Sequence, residues 1–593
     1  MSRTRLLTAI AFICLFFGWL ELYDQPIPQP AGDVLHEIEE KTSLPVADVV
    51  EAVTGSTVPK SSKHAGSGNK VQQIMQEELA ERQAIAEAQA EGKLMVTLTS
   101  IKFQGVTILG DLELQQAVAK YLNVPMDYEQ MLEIGMTVES YYRQHNYLAR
   151  VILPPQDLAG GTLQLDVIES VVSKIEVEQK LEELPNTQAH VLALVAAQQV
   201  QGEHLNTQSI ERGVALANEV PGVSVQASLK DGQQAGDTEL LLKVLQTRTQ
   251  EGDVTFDNAG SRSTGAERMM STFNVFNPND TQDQLNLVGV LTRGSEYVRS
   301  AYSLPIGVGG WRMGANFSLM NYKVVVGEIG MVGAFGDAVT RGLEWTYPLL
   351  RSDSASATVS INADAKHFRN TSAQGLLMSD YEAKVLSTQM AGYYRDLDPM
   401  GGTGTYLAQF SHGNINLDGS LSQLSDLAHT EGDFNKLKGT LTWQQPLSMQ
   451  MSTFASYSFQ LADKNLDSSE KMQIGGMNGV RAYPTGEGSG SDAQLIQMEL
   501  RYNLENGYTV AGFYDWGQAL QMHDPNFAGS PQVNRLTYQG FGASIGYTTP
   551  SGMSMKAIWA RRREDNPNPT QTGKDQDGSY DRNRYWIQLN VPF

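Results

Sequence analysis

Arg481 sits in GGMNGVRAYPTGEGSGSD, residues 475–492, a stretch too rich in glycine and small polar residues for a regular helix or strand. A guanidinium carries a planar fork of donors that grips both oxygens of a carboxylate, so the chemistry this loop offers is ion pairing that positions the chain. Signals for covalent chemistry are missing. The chain has no GxxxxGK[ST] phosphate loop and no HExxH pair. Its nine histidines are dispersed, and polar clusters such as Asn277-Pro-Asn-Asp280 suit turns better than calcium ligation. Cys14 is the only cysteine, so nothing downstream of it can form a disulfide or a thiolate metal site. The expectation is a non-enzymatic protein with no metal and no cofactor.

The flanking segments indicate what holds the loop. Before it, MSTFASYSFQL (451–461) places Met451, Thr453, Ala455, Tyr457, Phe459 and Leu461 on one face. After it, IQMELRYNL (496–504) alternates Ile496, Met498, Leu500, Tyr502 and Leu504 with Gln497, Glu499, Arg501 and Asn503. A long loop bearing one arginine between two strands of period two is the pattern of a β-barrel with a loop that folds inward. From Thr249 onward the chain keeps this character, with glycine-punctuated strands and no helix. Phe541, Ala543, Ile545 and Tyr547 alternate with Gly542, Ser544 and Gly546, and Tyr585, Ile587, Leu589, Val591 and Phe593 alternate with Trp586, Gln588, Asn590 and Pro592. The apolar last strand, ending on Phe593, suits closure of a barrel by pairing with the first strand. Sixteen strands would take about 21 residues each, enough for ~9–11 in the strand plus alternating short turns and long loops. Fourteen or eighteen would also fit, and a soluble two-layer sandwich is the weaker alternative. On Tyr508 to Trp516, Val510, Gly512, Tyr514 and Trp516 share one face and Thr509, Ala511, Phe513, Asp515 and Gly517 the other. Lipid does not accept a carboxylate, so Asp515 is expected to face the lumen.

A chain of 593 residues predicts several domains, and a net charge of −22 argues against a nucleic-acid partner, whose phosphates need a basic face. The 55 glycines suit a turn-rich β protein. The N-terminus reads as an export signal. Arg3 and Arg5 precede an apolar run from Leu6 to Leu20, about fifteen residues and short of the ~20 that a spanning helix needs. Removal as a signal peptide (1–30) is therefore expected; the bulky residues from Trp19 to Tyr23 offer no small-x-small cleavage site, which keeps retention as an anchor as the alternative. The mean hydropathy of −0.30 looks soluble, but a transmembrane barrel looks the same, because only every second strand residue faces lipid. Residues 31–95 read as an extension with linker composition from Ser61 to Gly68 and a strong helix at Val71 to Glu91. That helix is either a solvated lead into the next domain or a plug lying in a barrel lumen.

Between the extension and the barrel the order β, α, α, β, β occurs twice. In the first copy Leu98 to Gly105 is a strand, Asp111 to Leu122 and Tyr128 to Gln144 are amphipathic helices, and Ala149 to Leu153 and Gly161 to Ile168 are strands. In the second, Ser173 to Glu178 is a strand, Ala189 to Gln199 and Thr207 to Asn218 are helices, and Val223 to Lys230 and Asp237 to Val244 are strands. Tandem copies of one α+β unit of about seventy-five residues place soluble cores at 96–171 and 172–247, ahead of a barrel at 248–593.

Four stretches, in order, resemble the TpsB transporters, the outer-membrane component of two-partner secretion, related to barrel-assembly proteins and to haemolysin and adhesin exporters. NYLARVILPPQDLAGGTLQL (146–165) resembles the end of the family's first polypeptide-transport-associated (POTRA) domain, and LNTQSIERGVALANEVPGVSV (205–225) resembles its second. FDNAG (256–260) with Gly265 is similar to the opening of the barrel. VRAY (480–483) is similar to the VRGY motif of the inward loop, with Ala482 in place of the usual glycine. The resemblance covers nearly everything from Val96 to Phe593. It implies a mainly β fold, a transmembrane antiparallel β-barrel preceded by two α+β POTRA domains. It implies a translocator in the bacterial outer membrane that captures an unfolded exoprotein through POTRA domains in the periplasm and secretes it through the barrel. The alternative is an outer-membrane protein assembly or insertion factor of the same superfamily. In the family the loop arginine pairs with an acidic residue in a Phe-x-Asp-x-Gly setting, which FYDWG (513–517) matches. The resemblance therefore implies a lumen lock between Arg481 and Asp515, with Gly475, Gly476, Val480, Ala482 and Tyr483 as loop motif, Phe513 and Gly517 as strand motif, and Phe593 ending the closing strand. Implied partners are a TpsA-like exoprotein as unfolded cargo, outer-membrane lipid and the barrel-assembly machinery during biogenesis, with no nucleic acid and a monomeric state.

Deletion of residues 71–91 separates the two readings of that helix in planar bilayers. The linker reading expects unchanged single-channel conductance, and a rise would identify a plug.

Overall fold

The twofold β, α, α, β, β order builds two small sheets of identical strand order. The structure, a computed structural model, describes residues 95–178, 184–327, 332–398, 400–417 and 421–593. The export segment read at 1–30 and the 71–91 helix of the extension lie outside the described residues. In the first copy β1 (Val96–Thr97), β2 (Ser100–Gln104), α1 (Asp111–Val118), β3 (Pro125–Met126), α2 (Tyr128–Gln144), β4 (Ala149–Ile152) and β5 (Thr162–Glu169) follow in turn. Strand β5 lies between β2, to which it is parallel, and β4, to which it is antiparallel. Helix α2 begins where Asp127 accepts from the Gln130 N–H and the Gln130 side chain accepts from the Asp127 N–H, a reciprocal cap. Its buried stripe of Met131, Ile134, Val138 and Tyr142 closes on Leu163, Leu165 and Val167 of β5. Helix α1 is shorter than its periodicity predicts, because the chain tightens into a 3-10 turn at Ala119–Tyr121. The β1–β3 bridge, with Val96 opposite Met126, is too short to show a period in sequence.

The second copy contains β6 (Val171–Val177), α3 (Pro185–Gln198), α4 (Thr207–Asn218), β7 (Val223–Asp231) and β8 (Asp237–Gln246). Strand β8 lies between β6 and β7 and is parallel to β6, the arrangement of the first copy. Helix α3 starts at Pro185 rather than Ala189, since proline in the first turn gives up no helical hydrogen bond.

The alternating row of β5 ends on a carboxylate, Glu169, which is buried. Its Oε1 accepts from the N–H groups of Thr107 and Ile108, both at 2.9 Å, and from the Tyr142 hydroxyl at 2.7 Å. Burial alone would raise the Glu169 carboxyl, but the Thr107 hydroxyl, which donates to Oε2, outweighs it together with these donors and holds the carboxyl below the usual range. Tyr142 is pushed well up, by burial first and then by the carboxylate it serves.

Strands β9 (Gln250–Asp257), β10 (Arg268–Phe276), β11 (Gln284–Thr292) and β12 (Ser295–Ile306) begin a closed antiparallel barrel. It continues through β13 (Trp311–Lys323), β14 (Phe335–Arg351), β15 (Ser356–Thr371) and β16 (Leu377–Arg395). Next come β17 (Thr403–Asn416), a single helical turn α5 (Leu421–Leu424), β18 (Gly432–Pro446) and β19 (Met451–Ala462). The chain then leaves the wall for a loop that holds the short strands β20 (Met472–Gln473) and β21 (Ser489–Gly490). It returns as β22 (Asp492–Asn503), β23 (Tyr508–Leu520), β24 (Arg535–Thr548), β25 (Ser554–Arg562) and β26 (Asn583–Pro592). The wall has sixteen strands and closes where β26 pairs with β9, from Gln588 opposite Asp257 to Pro592 opposite Asp253.

Phe593 prolongs that seam. Its N–H donates to the Gly252 carbonyl at 2.8 Å and its carbonyl accepts from the Gly252 N–H at 3.1 Å. The ring lies over Gly252 so closely that a Cβ there would come within 2.6 Å of it. Period two decides the faces: Leu536 and Tyr538 of β24 and Trp586 of β26 are buried inside, while Phe541, Ile545, Tyr585 and Ile587 are exposed outside. Among the described residues no helix is long and apolar enough to cross a membrane, and the exposed apolar rows are what a barrel presents to lipid.

The helices longer than one turn among the described residues all lie between 111 and 218, in the repeat. Because the folded Glu169 carboxyl is depressed, its stabilisation is fully present above the ordinary value near ~4.3 and is lost as pH falls through the lower folded value. Glu169→Gln is expected to cost about 1–3 kcal/mol in urea unfolding at neutral pH, with the difference from the parent shrinking below pH ~4.

Candidate functional site

Between Ala462 and Asp492 the chain turns back into the barrel and is folded by its own backbone. The N–H of Gly475 donates to Glu487 O (2.9 Å), that of Val480 to Ile474 O (2.7 Å) and that of Tyr483 to Val480 O (3.0 Å). Gly476 donates to Tyr483 O at 3.2 Å from a φ of 110°, which a side chain would resist. At Gly475 a Cβ would lie 2.6 Å from the Pro484 carbonyl oxygen. Contrary to the composition, the 475–492 stretch does contain a strand: β21 pairs with β20, Met472 opposite Gly490. The lumen wall around it makes so short a ladder possible despite its glycine.

This hairpin carries Arg481 to the inner face of β22 and β23. The side-chain Nε and Nη2 donate to Asp515 Oδ2 and Oδ1 at 2.9 and 2.6 Å, and the Arg481 backbone N–H adds a bond to Oδ2 at 3.0 Å. The remaining Nη1 donates to Glu499 Oε1 at 2.5 Å. Register explains the convergence: Glu499 is opposite Phe513 and Gln497 is opposite Asp515, so all four share the inner face. The Phe513 ring lies 3.5 Å from the guanidinium carbon and covers its flat side. Gln497 donates to Gly479 O at 2.9 Å, and Trp586 Nε1 donates to Arg481 O at 2.8 Å. Arg481, Asp515 and Glu499 are 3%, 0% and 9% exposed. A second cation, Arg501, donates from Nε to Glu499 Oε2 at 2.7 Å, so the cluster holds two positive and two negative side chains. What it can do chemically is hold a loop: a guanidinium this dry is stable only where both acids meet it.

The apolar motif residues fill the space around this cluster. Val480 is buried against Gly517, where a Cβ would approach its Cγ2 to 3.0 Å. The Ala482 methyl occupies the room left by Gly540, with 2.4 Å between its Cβ and a Cβ built there. Tyr483 meets Tyr538 edge-on at 4.7 Å and donates to Glu564 O at 3.2 Å. The other loops at the same end of the barrel join in: Glu487 accepts from Asn566 Nδ2 at 2.8 Å and from the Gln576 N–H at 2.9 Å, and Thr485 donates to Ala259 O at 2.8 Å. Phe593 is not part of this cluster; it lies at the seam with Gly252.

Sequence reasoning named Arg481 and Asp515 and missed Glu499, Gln497, Trp586 and Gly540. Glu499 was within reach of the same argument used for Asp515, because a carboxylate in the polar row of a barrel strand must also face the lumen. Trp586 and Gly540 had no such signal, since an inward tryptophan or a strand glycine is ordinary until the loop is placed against it.

The contact of Ala482 with Gly540 predicts a size exchange. Gly540→Ala should lower the temperature at which the folded barrel loses its fast gel mobility by several degrees, Ala482→Gly alone should be nearly neutral, and the double variant should recover the parent value.

With this geometry in place, comparison with known proteins is informative. Residues 236–547, more than half of the chain, match the family model of haemolysin secretion/activation proteins ShlB/FhaC/HecB, and residues 96–170 match the ShlB-type POTRA domain. The heme/hemopexin transporter protein HuxB of Haemophilus influenzae is 23% identical over 503 residues, covering 81% of this chain and 84% of the relative. The outer membrane transporter CdiB of Dickeya dadantii is 25% identical over 414 residues, covering 68% of this chain and 72% of the relative. Among solved structures, CdiB from Escherichia coli has a TM-score of 0.69 at 19% identity, covering 96% of this chain and 100% of that one. CdiB from Acinetobacter baumannii has a TM-score of 0.58 at 15% identity, covering 90% and 100%. Family model, POTRA match and closed sixteen-stranded barrel agree, and the chain belongs to the ShlB/FhaC/HecB haemolysin secretion/activation family, the TpsB transporters of two-partner secretion.

Proposed function

We propose that the tandem α+β units at 96–171 and 172–247 are two POTRA domains that stand in the periplasm and capture an unfolded, TpsA-like exoprotein, adding its extended segments to their sheet edges. The barrel at 248–593 sits in the outer membrane as a monomer, inserted there by the barrel-assembly machinery, and passes the cargo outward without enzymatic chemistry, metal or cofactor. Arg481 and Asp515 are its lumen lock, with Glu499 as a second acid on the same guanidinium. The observation that carries this reading is the buried ion cluster that seats the inward hairpin against β22 and β23. A loop seated in the lumen by side-chain contacts, outside the strand pairing of the wall, can be released without unfolding the wall, which is what a passage for polypeptide requires. Gly475 and Gly476 shape the hairpin, Val480, Ala482 and Tyr483 fill its seat, and Phe513 with Gly517 make that seat on the strand.

Breaking a buried pair costs about 3–5 kcal/mol because the surviving charge is stranded, so either partner's removal is expected to abolish the held position. Arg481→Ala and Asp515→Ala should each lower secretion roughly tenfold or more at unchanged barrel level, and the double variant should be little worse than either. Arg481→Lys should rescue poorly, because an ammonium cannot span Asp515 and Glu499 together. Secretion of the partner, normalised to folded barrel in the membrane, measures this; additive losses in the double variant would separate the two residues and end the lock.

A further inference from the structure

The root of the loop is held by a second ion cluster, of opposite polarity, on a different part of the wall. Just after β19 the chain forms a 3-10 turn at Ser468–Glu470 and presents the Glu470 carboxylate to two lysines of the barrel. Lys436 of β18 lies 2.7 Å from Oε2 and Lys366 of β15 lies 3.4 Å from Oε1, and all three side chains are at most one-tenth exposed. The wall also grips the backbone: Glu470 O accepts from Lys436 Nζ at 2.9 Å and from Gln460 Nε2 of β19 at 3.0 Å. One turn earlier, Asp467 accepts from the Tyr381 hydroxyl of β16 at 3.0 Å. The root is thus bound to β15, β16, β18 and β19, whereas the tip is bound to β22, β23 and, through Trp586, β26.

The charges are exchanged between the two sites. At the tip the loop brings a cation to wall acids; at the root it brings an acid to wall cations. Two lysines buried this close repel one another unless a carboxylate lies between them, so the wall at this point favours a loop that delivers one. The chain from Glu470 to Arg481 runs through β20 and contains Gly475, Gly476 and Gly479, flexible positions between the two sites.

We infer that Glu470, with Lys366 and Lys436, is a second and separable anchor of the inward loop, a positioning site that keeps the root seated when the Arg481 tip is released. This rests on the reading of the loop as a movable gate. It adds that the gate opens by a swing of the tip about a fixed root rather than by departure of the whole loop.

The test uses the full-length protein in a Cys14→Ser background with one reporter cysteine, Ser469→Cys at the root or Val480→Cys at the tip, both buried in the parent. Labelling by a membrane-impermeant maleimide is followed in intact outer membranes. Glu470→Lys is expected to raise root labelling about tenfold, a local opening that leaves tip labelling near the parent's. Arg481→Ala is expected to raise tip labelling and leave the root protected. Pairing Glu470→Lys with Lys436→Glu should restore protection of the root, which loss of packing alone would not allow, and heat-modifiable mobility confirms that each variant is a folded barrel. Unchanged root labelling in Glu470→Lys, or root and tip rising together in either variant, overturns the separable anchor. A tip that stays protected in Arg481→Ala overturns the tip lock instead and leaves the root anchor to its own reporter.

Discussion

Arg481 brings a full positive charge to a place where water scarcely reaches, and the position of the loop follows from the need to neutralise it. Solvating a guanidinium in such a site takes acceptors in its own plane, and Asp515 and Glu499 supply one to each of its three nitrogens while the Phe513 ring covers its flat face. A buried ion cluster of this kind adds little net stability, since desolvation cancels most of the attraction. What it adds is selectivity, because any displacement leaves charges unmatched. The glycine-rich hairpin has many conformations of similar energy, and the cluster singles out one.

Shape supports what charge selects. The loop can approach the wall only where the wall gives up side chains, at Gly517 beneath Val480 and at Gly540 beneath Ala482. The methyl of Ala482 is accommodated because the volume is removed from the strand opposite. The same logic appears at the seam, where Gly252 leaves room for the Phe593 ring. In each case a strand glycine, weak in itself, is explained by another part of the chain lying on it.

The tandem α+β repeat obeys a more local rule. Each copy closes its own core between a sheet and two helices, and even its buried carboxylate, Glu169, is served by donors of the same copy, Thr107, Ile108 and Tyr142. Its architecture was accordingly legible from periodicity, and the misplaced boundaries fell where local chemistry departs from a regular period: the 3-10 turn after Val118 and the proline that opens α3.

Much of this protein was determined by its sequence alone. Period two from Thr249 onward marks the barrel strands and puts Asp515 on their inner face, the repeated β, α, α, β, β order marks the tandem domains, and the glycine content of 475–492 marks a loop bearing one arginine. These are local signals, carried by neighbours in the chain, and they survive without knowledge of the fold. Tertiary structure alone decided that Arg481 meets Glu499 as well as Asp515, that Gly540 receives Ala482, that Trp586 binds the Arg481 carbonyl, and that Glu470 reaches Lys366 and Lys436. Those contacts join residues from separate strands, and their partners are chosen by barrel closure and strand register, which no stretch of the sequence contains by itself.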